Sequence, residues 1–201
     1  MIAKGMFAEV AGAGNYTAAQ AAAMNPTNAM IICVTDMGTN GVFVRGNGTR
    51  WVPLNGCATL KSAYVNTSTT SATETTLANP SINPVLMKTG DRIRVRTTWS
   101  FTGSTNTKTM RGRLNTATTG DLYHSNSQNT SANVSAKYEV DIMVTGTDAV
   151  AMMTNGNFGA GSVALTSSAP SLSSPLTLIM SGQTNGTETL TLVEYDIEWL
   201  A

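Results

Sequence analysis

The chain has 201 residues with 12 basic and 12 acidic side chains and no net charge, enough polypeptide for one or two domains. Charged residues make up 12% of it, about half the usual share. That excludes the basic surplus with which a dedicated nucleic-acid binder releases counterions, and no apolar run approaches the roughly 18 residues of a membrane span. Threonine (32), serine (17) and asparagine (17) carry the solubility instead. Threonine is β-branched and favours strands, while asparagine and glycine favour the turns between them.

Residues 1–28 hold most of the helix-compatible sequence. The opening stretch lacks the basic region and apolar block of a secretion signal. Thr17 is placed to cap a short helix over 17–24, with Asn25 and Pro26 to stop it. A helix this short does not persist alone in water, so the segment either docks on something or frays.

Residues 29–57 read as a small β-unit. A strand runs to Gly38, a turn at Asn40-Gly41 suits φ > 0, a return strand covers 42–45, a second turn falls at Asn47-Gly48, and a third strand spans 49–54. Three short strands bury little by themselves, so the unit needs a partner: the next domain, or copies of itself. Cys33 lies in its apolar run and Cys57 follows its last turn. Free, partly buried thiols are expected, with a Cys33–Cys57 bridge left open. No metal site is expected, because His124 is the only histidine and no CxxC motif exists.

Residues 58–201 read as one all-β domain, an antiparallel sandwich or jelly roll. Strands are predicted at 59–66, 75–77, 92–100, 107–114, 136–145, 149–153, 162–165, 176–181 and 189–200. Two of them alternate cleanly. In one, Ile93, Val95 and Trp99 face in and Arg92, Arg94 and Arg96 face out. In the other, Val193, Tyr195, Ile197 and Trp199 face in and Glu194, Asp196 and Glu198 face out. Each row would repel itself, so the two strands are predicted to be neighbours in one sheet or to meet across a subunit boundary. Each opposite-charge pair would contribute roughly 0.2–1 kcal/mol. The strand at 107–114 sets Lys108, Thr109, Arg111 and Arg113 beside inward Met110, Gly112 and Leu114.

The usual catalytic constellations are missing. His124 precedes Ser125, but adjacency in sequence does not place a hydroxyl on an imidazole. The acids at 194–198 alternate along one strand rather than flank a cleft. Neither enzyme activity nor a cofactor is expected. For binding, the polar loop at 115–135 is either a plain solvated loop or presents Tyr123, His124 and the amide of Asn126, which suit sugar or protein recognition on a rigid sandwich. The glycine-rich stretch 154–162 presents Phe158, either as a second contact or packed on the core or a neighbouring subunit.

Two stretches carry a resemblance. The run 34–56, with Asp36, Gly38, Asn40-Gly41, Asn47-Gly48-Thr49-Arg50-Trp51, Pro53 and Asn55-Gly56, resembles a small β-module recurrent in fibre and spike proteins of tailed bacteriophages. The run 89–114, with Gly90-Asp91, Arg92-Ile93-Arg94-Val95, Thr102-Gly103, Lys108 and Arg111-Gly112-Arg113-Leu114, resembles the core of the C-terminal jelly roll in the same proteins, and the close of the chain at 189–195 is similar. The resemblance implies a virion structural protein assembled in the host cytoplasm. Residues 1–28 would be an anchoring arm with Met6, Phe7, Val10 and Tyr16 as its contacts. Residues 29–57 would form a trimeric collar, and 58–201 a jelly-roll head able to touch a host glycan or protein. Its partners would be two further copies and other virion proteins. A capsid decoration or connector protein is the alternative reading, and a particle-borne glycan hydrolase is a third.

Overall fold

The computed structural model describes residues 14–115, 120, 122–129, 134–145, 150–153, 171–185 and 188–201. The strand predicted at 162–165, the glycine-rich stretch with Phe158, and Met6, Phe7 and Val10 lie outside them.

The N-terminal part is a four-stranded sheet, β1 (Asn15–Tyr16), β2 (Ile31–Val34), β3 (Val42–Gly46) and β4 (Trp51–Pro53), in that order. β1 runs parallel to β2, and the other pairs are antiparallel. The Asn-Gly turn forms as its chemistry dictates, with Gly41 at φ +77°. At the next turn the Asn47 Oδ1 accepts from the backbone N–H groups of Thr49 and Arg50.

Between β1 and β2 lies α1 (Ala18–Ala23). Thr17 and Gln20 form a reciprocal capping box, and the Asp36 carboxylate accepts from the Ala18 N–H at 2.5 Å. The helix docks rather than frays. Ala18 and Ala21 are fully buried, and the Trp51 indole N–H donates to the Ala21 carbonyl at 2.8 Å. Residues 14–28, which the sequence grouped with the arm, therefore complete the small sheet. The core of that sheet (Ile32, Val34, Met37, Val42, Val44 and Trp51) is continuous with the core of the next domain. Of the two partners open to the small unit, the next domain and copies of itself, the structure provides the first, together with the unit's own helix, so its size alone does not call for a trimer.

Ten strands lie among the described residues of 57–200: β5 (Cys57–Thr69), β6 (Thr75–Ala78), β7 (Ser81–Ile82), β8 (Arg92–Phe101), β9 (Lys108–Leu114), β10 (Leu122–Gln128), β11 (Ser135–Val144), β12 (Val150–Met153), β13 (Leu176–Thr184) and β14 (Leu190–Leu200). One sheet has the order β12-β11-β8-β14-β5 and the other β10-β9-β13-β6, with β7 also on β13. With the short β7 and β12 set aside, eight strands nest. The first pairs with the last (β5 with β14), the second with the seventh (β6 with β13), the third with the sixth (β8 with β11) and the fourth with the fifth (β9 with β10). This is a hairpin folded over on itself, which makes the domain a jelly roll. Ile93, Val95, Trp99, Ile142, Leu176, Leu178, Ile197 and Trp199 fill the space between the sheets, each apolar side chain contributing roughly 1.5–3 kcal/mol.

Two β-bulges change which residues point inward. In β14 the register with β8 slips between Leu192 and Glu194, leaving Val193 as the extra residue. Val193 is accordingly half-buried rather than inward, and Leu190 and Leu192 take the inward places before the bulge. In β10 the slip lies between Leu122 and His124. There the extra residue is Tyr123, and its ring packs against Gly112 of β9. A Cβ at Gly112 would overlap that ring. Gly112→Ala is expected to lower stability by about 1–3 kcal/mol through overpacking, read as a shifted urea midpoint. An unchanged midpoint would mean that the ring swings clear at no cost.

Lys108 also departs from its expected outward place. Continuing the alternation of Met110 and Leu114, it is fully buried. Its ammonium donates to the Ser104 carbonyl and hydroxyl, both at 2.8 Å, and sits 5.9 Å from the Phe101 ring centre.

Candidate functional site

The charged strands do lie side by side. β8 and β14 pair with Arg96 opposite Asp196 and Arg94 opposite Glu198. β11, on the other side of β8, sets Glu139 opposite Arg96 and Asp141 opposite Arg94. The outer face of this sheet is thus a grid of four-residue rows across β5, β14, β8 and β11: Tyr64, Glu194, Thr98, Lys137; then Ser62, Asp196, Arg96, Glu139; then Thr59, Glu198, Arg94, Asp141.

Within the grid the arginines are shared. Arg94 holds Asp141 through two hydrogen bonds, at 2.7 and 3.0 Å. Arg92 reaches the same carboxylate at 3.2 Å. Arg96 binds Glu139 at 2.7 Å, Glu198 at 2.9 Å and Asp196 at 3.2 Å. Hydrogen bonding to Arg94, with the charges of Arg94 and Arg92, holds the buried Asp141 carboxyl below the usual carboxylate range. The bond to Glu139 raises the Arg96 guanidinium above its ordinary value. Asp196 moves the other way: burial, then the neighbouring Glu198 charge, pushes its carboxyl up. The same alternation that marks β14 is present in β11, where Lys137, Glu139 and Asp141 interleave with Tyr138, Val140 and Ile142. That signal could have identified Glu139 and Asp141 as the arginines' main partners. Over the upper rows lies a groove of about 730 Å³ lined by Ser62, Tyr64, Arg96, Lys137, Glu139 and Asp196, among others.

A second ionic centre joins the small sheet to the sandwich. Asp91, with 0% exposure, accepts from Arg50 at 2.5 Å, from the Trp199 indole N–H at 3.0 Å and from the Lys88 backbone N–H at 3.0 Å. Asn83 also reaches Asp36 at 3.1 Å. On the outer face of the second sheet, Glu74 accepts two hydrogen bonds from Arg113, at 2.8 and 3.0 Å, and one from Ser181 at 2.6 Å. Burial pushes the Glu74 carboxyl up, but these bonds and the charges of Arg113 and Arg111 outweigh it, and the net shift is downward.

The residues proposed for recognition are not on a loop. Tyr123, His124 and Asn126 belong to β10 and are buried. The bulge turns Tyr123 and His124 inward together. Asn126 accepts from the Tyr138 hydroxyl at 3.0 Å and from Gln128 at 3.0 Å. The His124 ring lies tilted against Tyr138, with centres 4.6 Å apart. Burial pushes His124 down to about 4 and raises the Tyr123 phenol. These three side chains therefore form no recognition surface. Tyr16 sits in β1, half-buried on the shared core. Cys33 is buried and Cys57 exposed, and both are free thiols. Among the described residues no group of three His, Cys, Asp or Glu side chains is placed to hold a metal ion, and no helix is long and apolar enough to cross a membrane.

No family model matches the chain, and no curated protein matches it. Among solved structures it is similar to one titled "Structure of infectious bursal disease virus Gx strain", at 10% identity and a TM-score of 0.30 over 72% of this chain, spanning 40% of the length of that one. At that identity and score the likeness carries no argument for function.

Proposed function

We propose that this chain is a structural component of a tailed-bacteriophage virion, a fibre or spike subunit that works as a homotrimer, held to the particle by its N-terminal segment and directing its jelly roll outward. One observation carries the reading. The two runs that resemble phage fibre modules meet in space, with Arg50 of the first on Asp91 of the second in the buried joint. The residues of the resemblance are thus among those that fix one module on the other. The reading assigns the protein no catalytic step.

The alternative, a decoration or connector protein that stabilises the particle without reading a receptor, gains from one finding: Tyr123, His124 and Asn126 are inside the sandwich. One measurement tests the trimer and a second separates the two readings. Light scattering of the full chain at micromolar concentration is expected to give three times the chain mass, and a monomer would overturn the trimer. A fibre or spike subunit is expected to bind host cells and compete with phage adsorption. A decoration protein does neither, and turnover of host polysaccharide would revive an enzyme.

A further inference from the structure

The homotrimer proposed above needs a surface on which its copies meet. We infer that this surface is the outer face of β5, β14, β8 and β11, with Lys137 of one copy seated against Glu194 and Tyr64 of the next. The inference rests on the trimeric reading and deepens it.

Three features of that face converge. The first is Tyr64, which stands 73% exposed beside the groove. A large ring with a polar tip is the kind of side chain that anchors subunit contacts. The second is the β5 end of the face: the outward residues Thr59, Ser62 and Tyr64 are all exposed and uncharged, so that part of the face is covered without desolvating an ion.

The third feature is the charge pattern. Arg92, Arg94 and Arg96 are each paired with acids of the same face, three guanidinium groups to the four carboxylates of Glu139, Asp141, Asp196 and Glu198, so no arginine is left alone when the grid is covered, and the surplus negative charge falls on Asp196, whose carboxyl is raised. Two further charges stand outside these pairs, Glu194 and Lys137. Both are exposed, and neither has an ion pair among the described residues. They share one row on either side of Thr98, about 10 Å apart at the spacing of two strands, and Glu194 takes only the Thr98 hydroxyl, at 2.8 Å. One lies on the β5 side of the face and the other on the β11 side. A copy rotated about a common axis therefore offers its glutamate to this lysine, and the head-to-tail contact closes into a ring. An uncharged saccharide in the groove would leave both charges unanswered, whereas a second copy answers each with the other.

The test uses the full chain and a charge exchange. Mass is followed by sedimentation over a dilution series, and subunit exchange between labelled and unlabelled wild type is followed alongside. Glu194→Lys and Lys137→Glu are each expected to raise the concentration of half-dissociation, or the exchange rate, by about tenfold or more, and the double variant to return to within about threefold of wild type. Tyr64→Arg is expected to dissociate the trimer outright. Far-UV circular dichroism and melting of the variants verify folding; should Tyr64→Arg unfold, the charge exchange decides alone. A wild-type monomer would overturn the trimeric reading and this inference together. A wild-type trimer that all the variants leave intact, or a double variant as weak as the singles, would overturn the inference and leave the trimer standing. So would a Tyr64→Arg trimer that stays whole but no longer adsorbs to host cells, which would make the face a ligand site instead.

Discussion

Asp91→Ala is expected to lower the unfolding free energy by about 3–5 kcal/mol, the range for breaking a buried ion pair by removing one partner. The carboxylate is fully buried and accepts from three donors, two from distant parts of the chain, the Arg50 guanidinium and the Trp199 indole, and one local, the Lys88 backbone N–H. Alanine leaves the buried Trp199 indole without its acceptor and removes the countercharge of Arg50, whose side chain is 27% exposed. Asp91→Asn keeps the shape and one acceptor oxygen, and its loss is expected to be smaller. Arg50→Ala also destabilises, because the carboxylate then stays buried without its countercharge. The double variant Arg50→Ala/Asp91→Ala is expected to lose less than the sum of the two singles. Urea unfolding measures all four proteins, and a loss below about 1 kcal/mol for Asp91→Ala would show that the joint relaxes to admit water.

The second large effect is one of pH. The folded His124 titrates at about 4, against an ordinary value of 6.5, because burial disfavours its charged form. The groups around it supply no countercharge: Tyr138 lies against its ring, and the small cavity beside it is walled by Val95, Trp99, Tyr123, Met180 and the cationic Arg111. The unfolded chain therefore takes up this proton before the folded one does. Stability is full above pH 6.5 and falls as pH drops from 6.5 to 4, by about 3 kcal/mol in all at 1.36 kcal/mol per pKa unit. Below that window the depressed carboxyls of Glu74 and Asp141 add their own loss as they protonate, while Asp196, whose carboxyl is raised, works in the opposite sense. His124→Phe is expected to flatten the curve between pH 6.5 and 4 and to leave the steeper fall below it. Urea midpoints at pH 7, 5.5 and 4.5 for both proteins decide the matter, and parallel curves would remove His124 as the cause.

What could be read before the fold was known follows from how locally each feature is encoded. β8 and β14 announce themselves through strict alternation, and their opposite charges point to each other because like-charge rows need a partner. Thr17 with Asn25 and Pro26 marks the helix without any knowledge of its dock. β10 gave no such signal. Its bulge turns Tyr123 and His124 to the same side, and its inward residues include Asn126, whose partner Tyr138 is twelve positions away. A strand with a polar inner face and a broken period looks like a loop. The dock of α1 was hidden for a different reason: alanines bury little surface and mark no stripe, so only the tertiary contact with Trp51 shows which side faces in.

The nested pairing of the strands has a consequence for synthesis. Because β5 pairs with β14, the strand at Cys57–Thr69 must wait on the ribosome until Leu190–Leu200 emerges before its sheet can close. Pairings this distant in sequence are slow to form, and the waiting segments are open to association with other nascent chains. Yield in a recombinant host should therefore respond strongly to lower temperature and to slower translation, more so than for a protein of equal size whose strands pair with their immediate neighbours.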